Sequence, residues 1–193
     1  PVGYAIGNNL EVIEAIEFLK GKMPEDLKTV VFELGAYMIK LAGLGDDLEE
    51  NKIKMLENIN NGKAFDKFEE MVRNQGGDIS YLENTEKFEK AKFIESVKAD
   101  KNGYIKEINA EDVGKIACNL GAGRIKKEDQ IDYTVGVKLC KKNSEEVIEG
   151  EDIAYIYAND VEKLKIAKQK LMEIIKIDVE KVKQEPTIFG ICK

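Results

Sequence analysis

Gly114–Val137 reads GKIACNLGAGRIKKEDQIDYTVGV, and in that order it holds a helix end, a small-residue turn, a charged loop and a β-type run. Val113, Ile116, Ala117 and Leu120 recur at helical spacing, and Gly121 follows the last of them. A glycine just past the last apolar residue supplies the left-handed cap that other residues adopt only at a cost. Gly121-Ala122-Gly123 leaves the backbone nearly bare, with Arg124 beside it and Lys126 and Lys127 close behind. From Tyr133 to Leu139 the pattern is that of a strand. Helix, glycine turn and strand in one short stretch predict a mixed α and β fold, of class α/β to α+β.

Downstream, Val147–Ala154 reads as a tight turn leading into a strand that ends near Ala158. Asn159 or Asp160 caps a long amphipathic helix through Ile175, and Ile177–Val179 is a candidate last strand. Upstream, Phe93–Ala99 and Tyr104–Ile108 flank the turn Asp100–Gly103. Residues 78–92 are polar and weakly patterned and read as a linker. Residues 1–77 read as helices throughout. Asn8 or Asn9 caps the first, which runs to about Lys20, and Pro24 opens the second. That second helix carries Leu27, Val30, Val31, Leu34, Tyr37, Met38 and Leu41, so broad an apolar surface that burial is expected, within this chain or against a missing part of a longer protein. Asp46 or Asp47 starts a third, and a fourth carries Phe65, Phe68, Met71 and Val72. The predicted organisation is a helical part over 1–88, a C-terminal α+β domain over 89–180 and a tail over 181–193.

With 43% hydrophobic and 35% charged residues, the 193-residue chain has the composition of a globular protein with a real core. The net charge of -7 lacks the basic stripe that a nucleic-acid partner requires. No histidine occurs, which excludes Ser-His and Cys-His nucleophile pairs, and the three cysteines lack zinc-site spacing. Cys118 is expected in the core. No apolar run is long enough to span a membrane, and the chain reads as cytoplasmic and as a piece of something longer.

Val97-Lys98-Ala99, Gly103-Tyr104-Ile105 and Val147…Gly150…Ile153-Ala154 resemble a biotinyl/lipoyl-like barrel-sandwich. Lys101 lies in a turn but lacks the methionine-flanked setting of a carrier lysine, so the architecture is retained and the carrier role set aside. A non-catalytic module of that kind remains the alternative from a different class. A second resemblance covers more of the chain. Pro1-Val2-Gly3-Tyr4-Ala5-Ile6-Gly7-Asn8-Asn9-Leu10-Glu11-Val12 resembles the P-L-G-x-A-V-G-N-A-L-E-V segment of the pyrimidine-nucleoside (thymidine) phosphorylases. Lys63-Ala64…Phe68…Met71-Val72…Gln75-Gly76-Gly77-Asp78 is similar to a second block of that family. Leu120-Gly121-Ala122-Gly123-Arg124…Lys127-Glu128-Asp129…Ile131-Asp132…Val135-Gly136 is similar to a third. Val2 for leucine and Asn9 for alanine are mild departures.

The resemblance implies the C-terminal part of an enzyme that cleaves thymidine or uridine with phosphate, giving base and pentose 1-phosphate. It implies a helical portion of the phosphorylase α/β domain followed by a barrel-sandwich-like C-terminal domain. The family's lysine- and glycine-rich phosphate loop and its base-binding residues are not in this sequence, so no catalytic residue is expected here and the chain alone should be inactive. An AMP phosphorylase relative is the alternative within the fold. Position by position, the family's structural potassium ion implies the carbonyls of Val2 and Ala5 and the carboxylate of Glu14 as ligands, a half-built site expected to bind the ion weakly or not at all. Gly123 and Arg124 correspond to a loop that faces the family's closing cleft. The implied partners are a pyrimidine nucleoside, phosphate and a second subunit held through a helical domain missing here, with no nucleic acid and no membrane.

Overall fold

A computed structural model describes residues 1–192, which divide into two compact units. Gly3–Val12 and Phe88–Glu185, with Pro1, make the first; Val2, Ile13–Lys87 and the tail from Pro186 make the second. The helix α1, Asn8–Leu19, is counted partly with each.

In the second unit, α2 (Glu25–Leu41), α3 (Leu48–Asn60) and α4 (Lys63–Asn74) follow one another, and the short α5 (Ser80–Glu83) and a 3-10 turn (Thr85–Lys87) lie in the stretch read as a linker. Pro24 immediately precedes α2, where its missing amide costs nothing. Asp47, not Asp46, caps α3 by accepting from the amides of Glu49 and Glu50. Phe18, Phe32 and Ile59 form the small core, and Met55 and Leu56 pack on it. Helices α2 and α3 touch where Gly35 offers no side chain: a Cβ there would stand 2.3 Å from Met55 Cε. Buried Asn51 on α3 stitches the pair by donating from Nδ2 to the carbonyls of Ala36 (3.2 Å) and Gly45 (2.9 Å). Within this chain α2 is covered only in part. Phe32 and Ala36 are buried, but Leu34, Met38 and Leu41 are 60%, 69% and 85% exposed.

In the first unit, the expectation of helix alone over residues 1–77 is corrected at once. Ala5–Ile6 is a strand, β1, whose two residues are too few to leave a pattern in the sequence. The four-stranded sheet runs β1, β4 (Gly136–Leu139), β6 (Asp152–Ala158), β2 (Phe93–Lys98), antiparallel throughout. A three-stranded antiparallel sheet runs β5 (Glu146–Val147), β3 (Gly103–Ile108), β7 (Ile175–Asp178). Strand β4 starts three residues later than the β-type run, and β7 starts two residues before its expected place, directly after the helix that ends at Ile174. The mixed fold class read from the sequence is therefore seen, with two antiparallel sheets. Val97, Val137 and Ile156 from one sheet and Ile105, Val147 and Ile175 from the other belong to one buried core.

Two helices close that core. Asn109 caps α6 (Ala110–Ala117), which buries Val113, Ile116 and Ala117. Asp160 caps α7 (Val161–Ile174) through the amides of Glu162 and Lys163, and Leu164, Ala167 and Leu171 at helical spacing are its buried stripe. Between β4 and β5 the chain turns through Ser144, a non-glycine residue at φ 72°, whose buried hydroxyl has no hydrogen-bond partner. Its amide is nonetheless fixed, donating to the Ile105 carbonyl at 2.7 Å. Left-handed strain and an unpaired buried hydroxyl both disfavour serine there, so Ser144→Gly should raise stability by about 1 kcal/mol. Urea unfolding monitored by circular dichroism checks the gain; a loss of stability would show that the hydroxyl is held.

Candidate functional site

Helix α6 does not end at a simple cap. Cys118–Ala122 widens into a π-helical turn in which Gly121 sits at φ 122°, the positive-φ conformation expected for it. Such widened turns are frequent at functional positions because they displace one residue from the regular ladder. Here they place Gly121–Arg124 against the segment Ile6–Glu11. The Asn8 amide nitrogen donates to the Ala122 carbonyl at 2.9 Å, and Glu11 Oε1 accepts from the Gly7 amide at 2.9 Å. A cleft of about 190 Å³ lies between them, lined by Ile6, Gly7, Asn8, Glu11, Cys118 and Gly123 among others. Cys118 is therefore half-buried on the cleft rather than in the core, with its Sγ 3.0 Å from where a Gly123 Cβ would stand.

The closest backbone approach lies behind this cleft. Gly7 (φ 141°) and Gly136 (φ 158°) stand where β1 meets β4. A Cβ on Gly7 would fall 2.6 Å from the Val135 carbonyl oxygen, and one on Gly136 would fall 2.3 Å from that of Ile6. The contact brings the Gly7-Asn8-Asn9 motif to the loop motif, and the Asn9 amide donates to the Tyr133 carbonyl at 3.0 Å.

A polar network that sequence reasoning missed holds the far end of the loop. The Asp132 amide donates to the Gly121 carbonyl at 2.9 Å. Its carboxylate accepts from the Thr134 amide (3.0 Å), the Thr134 hydroxyl (2.7 Å) and the Asn159 amide nitrogen (2.7 Å). Burial opposes ionisation of Asp132, yet these donors outweigh it and hold the carboxyl below its ordinary range. The available signal was the adjacent pair Asn159-Asp160, since a helix needs only one cap: Asp160 takes that role and Asn159 reaches back across the sheet.

Of the expected site residues, Gly123 is half-buried and Arg124 beside it is exposed. Between them and Asp132, the Asp129 carboxylate accepts from the amides of Ile125 (3.0 Å) and Lys126 (2.8 Å), which shapes the loop instead of pairing with the arginine. Ala5 is buried in β1, Val2 is 50% exposed and Glu14 is half-buried on α1. Ala5 is counted with the first unit, Val2 and Glu14 with the second. As a donor set, two carbonyls and one carboxylate suit a hard cation, though three oxygens fall short of the six to eight that ions such as calcium gather. Among the described residues no three His, Cys, Asp or Glu side chains gather as a metal cluster, and no helix is long and apolar enough to cross a membrane.

Residues 104–178 match the pyrimidine nucleoside phosphorylase C-terminal domain family. Over 159 residues, 82% of this chain, the sequence is 46% identical to the pyrimidine-nucleoside phosphorylase of Bacillus subtilis (strain 168). It is 43% identical over the same length to those of Staphylococcus aureus strains USA300 and NCTC 8325. The similarity to pyrimidine-nucleoside phosphorylases read from the three motifs is thus shown, and it covers a part: the chain spans 37% of the length of each of these relatives. The matched family segment contains β3, α6, the π-helical turn, the loop, β4 to β6 and α7, so the glycine-arginine loop and the Asp132 network lie inside it.

The Gly7–Gly136 contact carries a direct test. Gly7→Ala combines left-handed strain with a backbone clash and should cost about 2–4 kcal/mol. Gly150, also at positive φ but with open space where a Cβ would go, is the control, and Gly150→Ala should cost only about 1 kcal/mol. Equal losses in chemical denaturation would show that the close approach is not what the glycine serves.

Proposed function

We propose that this chain is the C-terminal portion of a pyrimidine-nucleoside phosphorylase, a pentosyltransferase in which phosphate attacks the anomeric carbon of thymidine or uridine and releases the free base and a pentose 1-phosphate. In this reading residues 1–88 are the helical part of the central α/β domain, 89–180 a barrel-sandwich-like C-terminal domain and 181–193 a tail. Two antiparallel sheets contributing to one buried core support the barrel-sandwich reading. The phosphate- and base-binding residues lie in the portion not present, so this chain alone is inactive. The parent acts in the cytoplasm as a homodimer joined through its N-terminal helical domain.

The observation that carries the proposal is the coincidence of shape and similarity at the glycine-arginine loop. Its backbone is set by the π-helical turn, the Asp132 network and the Asp129 turn, while the Arg124 side chain is left to solvent. A guanidinium carried on a fixed backbone suits a group that meets an anionic, oxygen-rich partner only when a cleft closes. In the parent, Gly123 permits the approach and Arg124 stabilises the closed form over phosphate and nucleoside. By the same similarity, the carbonyls of Val2 and Ala5 and the carboxylate of Glu14 would help to hold the parent's potassium ion, which would supply a structural positive charge; three oxygens are too few for this chain alone to bind it more than weakly.

The test joins this chain to the preceding portion of the Bacillus subtilis relative. The chimera should release thymine or uracil in a phosphate-dependent reaction, and the chain by itself should release neither. A chimera that unfolds cooperatively yet turns over no nucleoside overturns the assignment, and turnover by the chain alone overturns its inactivity. Arg124→Ala in the chimera should lower kcat/KM about tenfold, a barrier change of about 1.4 kcal/mol. Unchanged kcat and KM would remove the closure role.

A further inference from the structure

Helix α7 carries two kinds of lysine. Lys165 pairs with Glu162 at 2.8 Å, and Lys168 pairs with Glu95. Among the described residues, the ammonium groups of Lys163 and Lys170 have no ion-pair or hydrogen-bond partner. Asp160 and Asp132 act on Lys163 only from a distance, and both carboxylates are already engaged. Asp160 accepts from the amides of Glu162 and Lys163, and Asp132 accepts from Thr134 and Asn159. Both lysines line a groove of about 290 Å³ between α6 and α7. Its floor is apolar and buried (Ile116, Leu120, Ala167), while Ile166, between the two lysines in sequence, is 53% exposed.

Helix α3 repeats this spacing with the opposite charge. Lys52 takes Glu49 at 2.8 Å and Glu33 at 2.7 Å. Among the described residues, the carboxylates of Glu50 and Glu57 have no such partner, and Ile53 between them is 57% exposed. Glu50-Ile53-Glu57 and Lys163-Ile166-Lys170 therefore both stand at i, i+3 and i+7. At about 1.5 Å and about 100° per residue, the two charges of each helix lie about 10 Å apart, within about 20° of one line. The isoleucine stands about 60° to one side of the first charge. When two such faces meet antiparallel, these offsets coincide: Glu50 meets Lys170, Glu57 meets Lys163 and Ile53 meets Ile166. A parallel meeting would set the two isoleucines on opposite sides. Lys54 lies across the charged line from Ile53, as Ala167 does from Ile166. Antiparallel pairing thus lays the Lys54 stem over the groove floor, where exposed Asn119 has an amide oxygen for its ammonium.

We infer that this chain associates with a second copy of itself, α3 of one copy lying antiparallel on the α7 groove of the other. A second copy is the occupant because the complement of the lysine face, in charge and in spacing, is carried by this chain. Two ion pairs flank an isoleucine contact, so the charges set register and the apolar contact excludes water between them. The two faces differ, and every copy carries both, so the contact forms twice across a two-fold axis or repeats head to tail. The inference is independent of the phosphorylase reading and of the subunit contact proposed for the parent, which lies outside this chain.

Sedimentation equilibrium of the whole chain tests this. At low salt the weight-average mass should rise with concentration from 21.7 kDa toward at least twice that value. Raising the salt about tenfold should weaken association about fivefold, because exposed ion pairs are screened. Lys163→Glu/Lys170→Glu and Glu50→Lys/Glu57→Lys each set like charges opposite one another, and each variant alone should keep the mass of a single chain. Mixed in equal amounts, the two should associate, because the reversed faces complement each other. Lys101→Glu/Lys183→Glu makes the same change of net charge elsewhere and should associate as the parent does. The inference is overturned by a parent that stays a single chain up to about millimolar concentration, where even weak pairs assemble. It is equally overturned by association that survives in either reversed variant, by a mixture no heavier than its components, or by a control that also loses association. Should a reversed variant fail to fold, Lys170→Gln and Glu50→Gln remove charge alone. Each should weaken association about threefold per contact, and the double variant should lose no more than either single one. Additive losses would overturn the Glu50–Lys170 pairing.

Discussion

Two glycines set the first unit. Strand β1 can reach β4 only because the backbones at Gly7 and Gly136 pass where side chains would collide with the Val135 and Ile6 carbonyls. Every other link between the opening motif and the loop motif depends on that approach. With the backbones in register, the Asn9 amide meets the Tyr133 carbonyl and the Asn8 side chain meets the Ala122 carbonyl. The constraint is steric before it is energetic, since overlap at 2.3–2.6 Å is not relieved by a rotamer change when the opposing atom belongs to a main chain.

The polar groups brought in by this packing are satisfied unevenly. Asp132 is compensated by three donors, and the net effect favours its ionised form despite burial. Such a carboxylate gives direction as well as stability, because each donor fixes one edge of the loop that ends at Asp132. Ser144 stands at the opposite extreme, with a strained backbone and an unpaired hydroxyl. It is tolerated because its amide and the next residue's carbonyl both reach Ile105, and two backbone hydrogen bonds to a central strand of the core outweigh about 1–2 kcal/mol of left-handed strain.

Helix positions were legible in the sequence because caps and periodicity are local. Asp47 and Asp160 behave as their side-chain chemistry dictates, and the starts of α2 and α7 follow, whereas Asn8 and Asn9, expected to cap α1, lie inside that helix. What escaped was decided by contacts distant in the chain. Strand β1 has two residues and exists because Val137 and Lys138 lie opposite. Cys118 looks like a core residue by spacing, but the π-helical turn shifts it by part of a turn and places it on the cleft. The apolar breadth of α2 is legible as composition, but what covers it is not. Periodicity reports which face is apolar and carries no information on whether α3 is wide enough to cover it. The motif residues of the loop were legible; the Asp132 network was not, because its partners come from three separated segments.

The way the loop distributes its residues bears on what each is for. Gly121 serves a backbone conformation, Gly123 leaves room beside Cys118, Asp129 shapes the turn and Asp132 fixes the end. Each of these is absorbed by the local fold, so a purely structural account explains it. Arg124 is not absorbed in that way: it is exposed, and the nearby carboxylate of Asp129 is spent on backbone amides. A loop that needed only to connect α6 to β4 would have no use for an arginine at its most constrained point, where a lysine or serine would be equally soluble. A planar guanidinium with five donors differs from those residues only when it has a shaped, oxygen-rich partner to meet. The surrounding structure holds the backbone of that residue still and leaves its side chain free. That combination suits recognition of something outside this chain better than stabilisation within it.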